Sequence, residues 1–327
     1  MRGLVIRAGK PSSTVSYDDG LPAVHASAPE CRVRVTTAGI CATDLALARG
    51  YMSFEGVPGH EFVGVAVDGP LAGKRVVGEI NAACGRCDRC ALGMGRHCAS
   101  RTVLGILGRS GAFAEELALP LENLHVVPDD VPDDQAVFTE PLAAAFEIAE
   151  QLELAEFPRA LVLGDGRLGL LCAHVLALHG VEVTVHGRHP ERAELLPAGA
   201  THGGAIPEPD AAGGGAAARS PLVVEATGDP AVLTRALALT APRGTVVLKT
   251  TSERATPLDL APLVVDEITL LGSRCGAFAP ALAALSDGRV DLAPWIHARF
   301  PLADGPQAFA RAARPGTLKV LLDIAPS

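Results

Sequence analysis

Apolar and polar residues alternate in short runs along the first 140 residues. The opening Met-Arg-Gly-Leu-Val-Ile-Arg-Ala-Gly-Lys reads as a strand, as do Arg32-Val-Arg-Val-Thr36, Val63-Gly-Val-Ala-Val67, 75–79 and 115–119. A period of two marks a strand with one face in a core and one in water. Gly, Pro and Asp separate the runs, so this region is predicted to be a β-rich domain.

From about residue 141 the rhythm changes. Leu161-Val-Leu163, Glu182-Val-Thr-Val-His186, Leu222-Val-Val-Glu225 and Thr245-Val-Val-Leu248 are apolar strand runs, and helical patterns at 168–178, 190–196 and 230–239 lie between them. That order is the signature of a parallel α/β sheet. Pro190 suits the first turn of a helix, and Glu191 adds an acidic start. The stretch 207–220, rich in Gly, Ala and Pro, reads as a flexible surface connection, because strands resume beyond it. The run 317–323 is one more strand, expected to return to the first domain.

Composition narrows the class. A chain of 327 residues suits two domains, and 48% hydrophobic with 20% charged residues is a globular balance. Aromatic residues are only 4%, so the core must be aliphatic. A net charge of −9 argues against a nucleic-acid partner, which needs a concentrated basic face. The opening lacks the apolar run of a signal peptide, and no uncharged stretch is long enough to span a membrane. Eight cysteines in such a chain point to metal and reduced thiols, hence to the cytoplasm.

Half of those cysteines are concentrated in one run, Cys84-Gly-Arg-Cys87-Asp-Arg-Cys90 followed by Cys98. Their spacing fits a tetrahedral zinc ion bound by four thiolates, within a lobe of about residues 84–98. Two disulfides or four buried free thiols are the alternatives. His97 is read as a neighbour of the ligands. Cys31, Cys172 and Cys275 have no partner spacing and are read as small buried hydrophobes, with Cys275 the one to watch for reactivity.

Gly164-Asp-Gly166-Arg167-Leu168-Gly169 follows a strand and opens a helix, the context in which this motif cradles a dinucleotide pyrophosphate. An NAD site ordinarily places an acid at the end of the second strand, about 20 residues on, for the ribose 2′-hydroxyl. Here the strand ends His186-Gly187-Arg188-His189, with Arg192 a turn beyond. Loss of the carboxylate removes repulsion for a 2′-phosphate, and guanidinium attracts it, so NADP(H) is expected over NAD(H). The alternative for Arg188 is a solvated surface charge.

Cys41-Ala-Thr43-Asp44, Gly59-His60-Glu61 and Thr139-Glu140-Pro-Leu142 offer sulfur, imidazole and carboxylate, the ligand types of a catalytic zinc. Taken with the four-cysteine lobe, the glycine loop and Glu225-Ala-Thr-Gly228, they cover essentially the whole chain. In that order the chain resembles the zinc-dependent medium-chain alcohol/polyol dehydrogenases. The resemblance implies a GroES-like catalytic domain at 1–143 and 273–327, a Rossmann cofactor domain at 144–272, and an active site in the cleft between them. It implies Cys41, His60 and Glu140 as ligands of a catalytic zinc, with Glu61 ligating or exchanging with water, and a structural zinc in the lobe.

By the same resemblance, Thr43 passes the substrate proton and Asp44 orients the ligand histidine. Leu168 backs the nicotinamide, and Thr227, Ser273 and Arg274 line its carboxamide side. Lys319 is either a pyrophosphate contact or a surface lysine. Many relatives carry a histidine where this chain has Ala46, so the proton relay ends elsewhere, at water or at a residue such as Tyr51 or Glu55. An acid at 140 tilts the substrate toward polyols, sugars and other polar secondary alcohols, or the matching aldehydes and ketones. Relatives are dimers or tetramers, often joined through the edge of the cofactor sheet, for which 267–272 is the candidate strand.

Overall fold

The structure is a computed structural model that describes residues 1–7, 9, 13–26, 29–208, 219–252, 255 and 257–324. Most of the Gly/Ala-rich connection, residues 209–218, lies outside the described residues. The chain divides into two compact units, one of Met1–Glu140 with Phe278–Ser327 and one of Pro141–Ala277. These divisions fall a few residues from 143/144 and 272/273.

The first unit is built on a sheet that holds seven strands among the described residues. Its order runs Leu124–Val126, Arg75–Gly78, Glu61–Ala66, Glu30–Gly39, Lys319–Asp323, Ile296–Pro301, and Glu116–Pro120 also pairs with Glu30–Gly39. The long central strand alternates as expected at first, with Cys31, Val33 and Val35 buried between Arg32 and Arg34. Its register against Glu61–Ala66 then shifts between Val35 and Thr37, and from Thr37 to Gly39 every residue is buried. A bulge of this kind re-aims the strand that carries it. Beyond the shift, Gly39 pairs with Glu61. The late strand Lys319–Asp323 inserts antiparallel beside Glu30–Gly39, with Leu321 opposite Gly39.

The second unit contains a parallel sheet of six strands among the described residues. In chain order its strands are Arg159–Leu163, Glu182–His186, Thr201–His202, Ser220–Glu225, Thr240–Leu248 and Thr269–Gly272; across the sheet they run third, second, first, fourth, fifth, sixth. This is the doubly wound order of a dinucleotide-binding sheet, with its switch point beside the first strand. Val162, Val183, Val185, Val223, Val224, Val246 and Val247 are buried, as strands covered on both faces require. The helix Arg167–Leu178 is buried without a break from Gly169 to Leu176, which is why its sequence reads apolar all round. The pattern at 190–196 forms a 3-10 turn, Pro190–Leu195, instead of an α-helix. Pro190 opens this short segment and Pro197 closes it, too soon for regular helical bonding to become established.

Candidate metal and cofactor sites

The first site is assembled by strand pairing in the first unit. Cys41 caps the short helix Ala42–Ala48, and its backbone N–H donates to Asp44 Oδ2 at 2.8 Å. Asp44 is fully buried, and its Oδ1 accepts the Gly59 N–H at 3.2 Å. Its Oδ1 also lies 3.4 Å from His60 Nδ1, too poorly aligned for a hydrogen bond, so Nδ1 has no bonding partner. One carboxylate therefore ties the helix start to the loop that carries His60. Gly59 has φ of +100°, and a Cβ there would lie 2.4 Å from the Phe113 ring, so no other residue fits this turn.

Cys41, His60 and Glu61 each offer a ligand atom, and these atoms lie within 4.8 Å of one another. Bonds of about 2.0 to 2.3 Å to a shared zinc would separate ligand atoms by roughly 3.3 to 3.8 Å, so the trio fits a metal with little movement. Burial disfavours the His60 imidazolium, but the Asp44 carboxylate and the Cys41 sulfur outweigh it and hold that pKa well above its ordinary value. The surroundings thus favour positive charge, whether proton or metal ion.

Glu140 does not belong to this close trio. It sits half-buried near the start of the helix Thr139–Gln151, whose first turn is fixed by the Thr139 hydroxyl donating to the Ala136 carbonyl. Burial pushes its pKa up to about 7, with Glu61 and Asp44 adding to the rise and His60 and Lys319 opposing it. Thr43 Oγ1 lies 3.9 Å from Cys41 Sγ, at the rim of the same group.

Lys319 is not a surface residue. It is 1% exposed, its Nζ contacts Glu61 Oε2, and it stands 4.9 Å over the Phe138 ring. The signal was available in outline: a lone lysine inside Leu318-Lys-Val-Leu-Leu322 must either reach water or find a buried acid.

The second candidate metal site is the lobe. Cys87 Sγ lies 3.5 Å from Cys90 Sγ and 3.8 Å from Cys98 Sγ, and Cys84 Sγ lies 4.0 Å from Cys90 Sγ. These spacings are far beyond a disulfide bond of about 2.05 Å. They match the edges, about 3.8 Å, of a zinc–thiolate tetrahedron. The Cys90 backbone N–H draws the Cys87 thiol down to about 6, whereas burial lifts Cys90 to about 11. His97 is not among the converging side chains.

The glycine loop lies in the second unit. Gly164 has φ of +109°, and a Cβ on Gly169 would lie 1.8 Å from the Gly164 carbonyl oxygen. A Cβ on Gly166 would meet nothing within 4 Å, so this backbone faces open space at the N-terminus of the helix Arg167–Leu178. A tight turn, a close helix contact and an open backbone are the features a pyrophosphate needs. Leu168 is half-buried in the first turn of that helix. Thr227 is occupied locally, its N–H and hydroxyl both donating to Glu225 Oε1, at 2.8 and 2.5 Å. Ser273 is buried and accepts from Lys249 Nζ at 3.1 Å, and the same ammonium donates to the Arg274 and Ala144 carbonyls. Sequence reasoning passed over Lys249, which organises this corner, because a lysine after a strand is usually solvated.

Gly187 is buried and Arg188 exposed. Arg192 is buried, donating to the Asp165 carbonyl at 2.5 Å.

Comparison with known proteins agrees with both units. Residues 27–129 match the family described as alcohol dehydrogenase GroES-like domain, and residues 168–287 match the one described as zinc-binding dehydrogenase. The chain is 32% identical to an L-threonine 3-dehydrogenase of Streptomyces coelicolor, over 89% of this chain and 91% of that protein. It is 29% identical to a 2-dehydro-3-deoxy-L-galactonate 5-dehydrogenase of Pseudoalteromonas atlantica, over 91% and 94%. The crystal structure of a short chain alcohol dehydrogenase (rspB) from E. coli CFT073, complexed with NADH, superposes with a TM-score of 0.86 at 26% identity, covering 99% of both chains. Sulfur, imidazole and carboxylate converging in a GroES-like unit, and a glycine loop on a doubly wound sheet in the other unit, agree with these matches, which place the chain in the zinc-dependent medium-chain dehydrogenase/reductase family, oxidoreductases that work with zinc and a nicotinamide cofactor.

Proposed function

We propose that the protein oxidises a polar secondary alcohol, such as a polyol, sugar or amino alcohol, or reduces the matching carbonyl compound, with NADP(H) preferred over NAD(H). The observation that carries this reading is the convergence of Cys41, His60 and Glu61 within 4.8 Å from separate segments of the chain. We assign Cys41 and His60, with Glu140 and the exchangeable Glu61, to a catalytic zinc, and Cys84, Cys87, Cys90 and Cys98 to a structural one, two per chain. When bound, the catalytic zinc supplies Lewis acidity that lowers the pKa of a substrate hydroxyl, and the nicotinamide exchanges hydride with the adjoining carbon.

The chain's own residues do the rest. Asp44 holds His60 in place through the Cys41 and Gly59 backbone amides. Thr43, at the rim of the ligand group, takes the proton from the substrate hydroxyl. As it accepts that proton, the Thr43 hydroxyl releases its own to water, because Ala46 stands where relatives carry the relay histidine. Lys319 contacts Glu61 and balances its charge where two acids lie close together.

The substrate class is supported by the acid at 140 and by two relatives whose names specify dehydrogenation at position 5 of a sugar acid and position 3 of threonine. NADP(H) preference is supported by Gly187 at the strand end with Arg188 exposed beside it. We assign 1–143 with 273–327 to catalysis and 144–272 to cofactor binding. The free cysteines suit a reducing compartment such as the cytoplasm, and among the described residues no helix is long and apolar enough to cross a membrane. Exposed Leu260, Val264, Val265 and Leu270 at or near the edge strand Thr269–Gly272 support pairing of two copies, as a dimer or within a tetramer.

Metal analysis with the His60→Ala variant tests the core of this reading. The native protein is expected to hold two zinc ions and the variant one, with turnover lost and NADPH binding kept. Retention of both ions and of turnover would refute the assignment.

A further inference from the structure

Asp165 occupies the first variable position of the glycine loop, between Gly164 and Gly166. Its carboxylate is only 5% exposed and reaches the end of the second strand. Oδ2 accepts the His189 backbone N–H at 2.5 Å and lies 3.4 Å from His202 Nε2. The Arg192 guanidinium stands 3.9 Å from Oδ1. A Cβ on Gly187 would lie 2.0 Å from Asp165 Cγ and 2.3 Å from each carboxylate oxygen, so side chains at 165 and 187 compete for one volume.

A carboxylate therefore does stand at the end of the second strand, where a dinucleotide sheet ordinarily presents one to the ribose. It arrives from another position, and protein groups engage it. Burial would raise its pKa, but the His189 N–H, His202 and Arg192 hold it below the ordinary carboxylate range, so it stays ionised. Arginines gather near it: Arg188 is exposed, and Arg167 and Arg188 add to the burial that lowers the Arg192 pKa, while Asp165 and Glu191 oppose them.

We propose that Asp165 and Gly187 are an exchanged pair that sets cofactor choice. The acid is moved into the glycine loop and used as an anchor for the strand-end turn, which leaves the ribose position to glycine and arginine. Asp165 is thus a positioning residue. The inference rests on the proposed preference for NADP(H) and deepens it.

A double-mutant cycle in the zinc-loaded, full-length protein tests it, with Asp165→Gly, Gly187→Asp and the pair of changes together. Melting temperature and the equilibrium Kd values for NADPH and NADH, from fluorescence titration, are the two readouts. Gly187→Asp alone is expected to lower Tm by about 5 °C or more, as overpacking against a second carboxylate does. Adding Asp165→Gly restores part of that loss, or restores folded protein where the single variant yields none. In the double variant the ratio of NADPH to NADH Kd is expected to rise about tenfold or more, because an acid again faces the 2′ position.

If the double variant is no more stable than Gly187→Asp, the two positions do not share a volume and the exchange is refuted. If rescue occurs but the Kd ratio does not move, the link to cofactor choice is refuted. A native protein that binds NADH as tightly as NADPH overturns the underlying preference instead, and the rescue still decides whether the exchange is real.

Discussion

Replacing Lys319 by Met isolates the buried ion pair at the candidate metal site. Methionine keeps most of the aliphatic stem, so packing against the neighbouring strands is largely preserved, while the charge is lost. The lysine and Glu61 side chains are 1% and 2% exposed, which removes the solvent screening that weakens surface pairs. Breaking such a pair by deleting one partner leaves an uncompensated buried charge and costs about 3–5 kcal/mol. Loss of the cation over Phe138 adds about 1–2 kcal/mol at a desolvated site.

Glu61→Gln removes the other charge and should also destabilise, whereas the double variant should cost about 2 kcal/mol less than the sum of the two singles. Urea unfolding of the zinc-free protein measures this, because bound zinc would itself neutralise Glu61, and the chain carries its own reporter. Trp295 is its sole tryptophan, 1% exposed, and packs edge-on against Phe138 at 6.4 Å. Costs that add to within about 0.5 kcal/mol would show that Lys319 and Glu61 act independently and would refute the reasoning.

Two further perturbations probe other parts of the molecule. Cys98 is fully buried and its sulfur accepts the Cys84 N–H at 3.4 Å, so Cys98→Ser should release one zinc per chain and lower the melting temperature, as read by metal analysis and calorimetry; an unchanged metal content would contradict a four-thiolate site. His174 bonds to the Leu195 carbonyl at 2.9 Å, and burial lowers its pKa. The unfolded chain therefore takes up this proton first, so the native protein loses stability as pH falls below about 6.5. His174→Gln should flatten that loss, which urea midpoints between about pH 7 and 5 would show, and an identical slope would exclude His174 as its source.

Much of the fold was legible because the signals were local. The strand Glu182–His186 falls where its alternation placed it, and the helix Arg167–Leu178 begins one residue before its expected start. The four cysteines were legible for the same reason, since one short lobe holds them all. What escaped depends on pairing between distant segments. Nothing near Lys319 in sequence names Glu61; the two meet because the late strand inserts beside Glu30–Gly39, whose shifted register brings Gly39 opposite Glu61. Asp165 escaped because the glycine motif leaves its position open to any residue, so only the space at Gly187 reveals its role.

The strand Lys319–Asp323 lies inside its sheet, between Glu30–Gly39 and Ile296–Pro301, not at an edge. During translation, the strand Glu30–Gly39 must wait with an open seam until about 280 further residues, from Gly39 to Lys319, have been made. The contiguous unit Pro141–Ala277 emerges whole in the meantime and can fold first, although it starts later. Through that interval Glu61 lacks its counter-ion, so a ribosome stalled before codon 319 would carry a formed second unit and an unfinished first one.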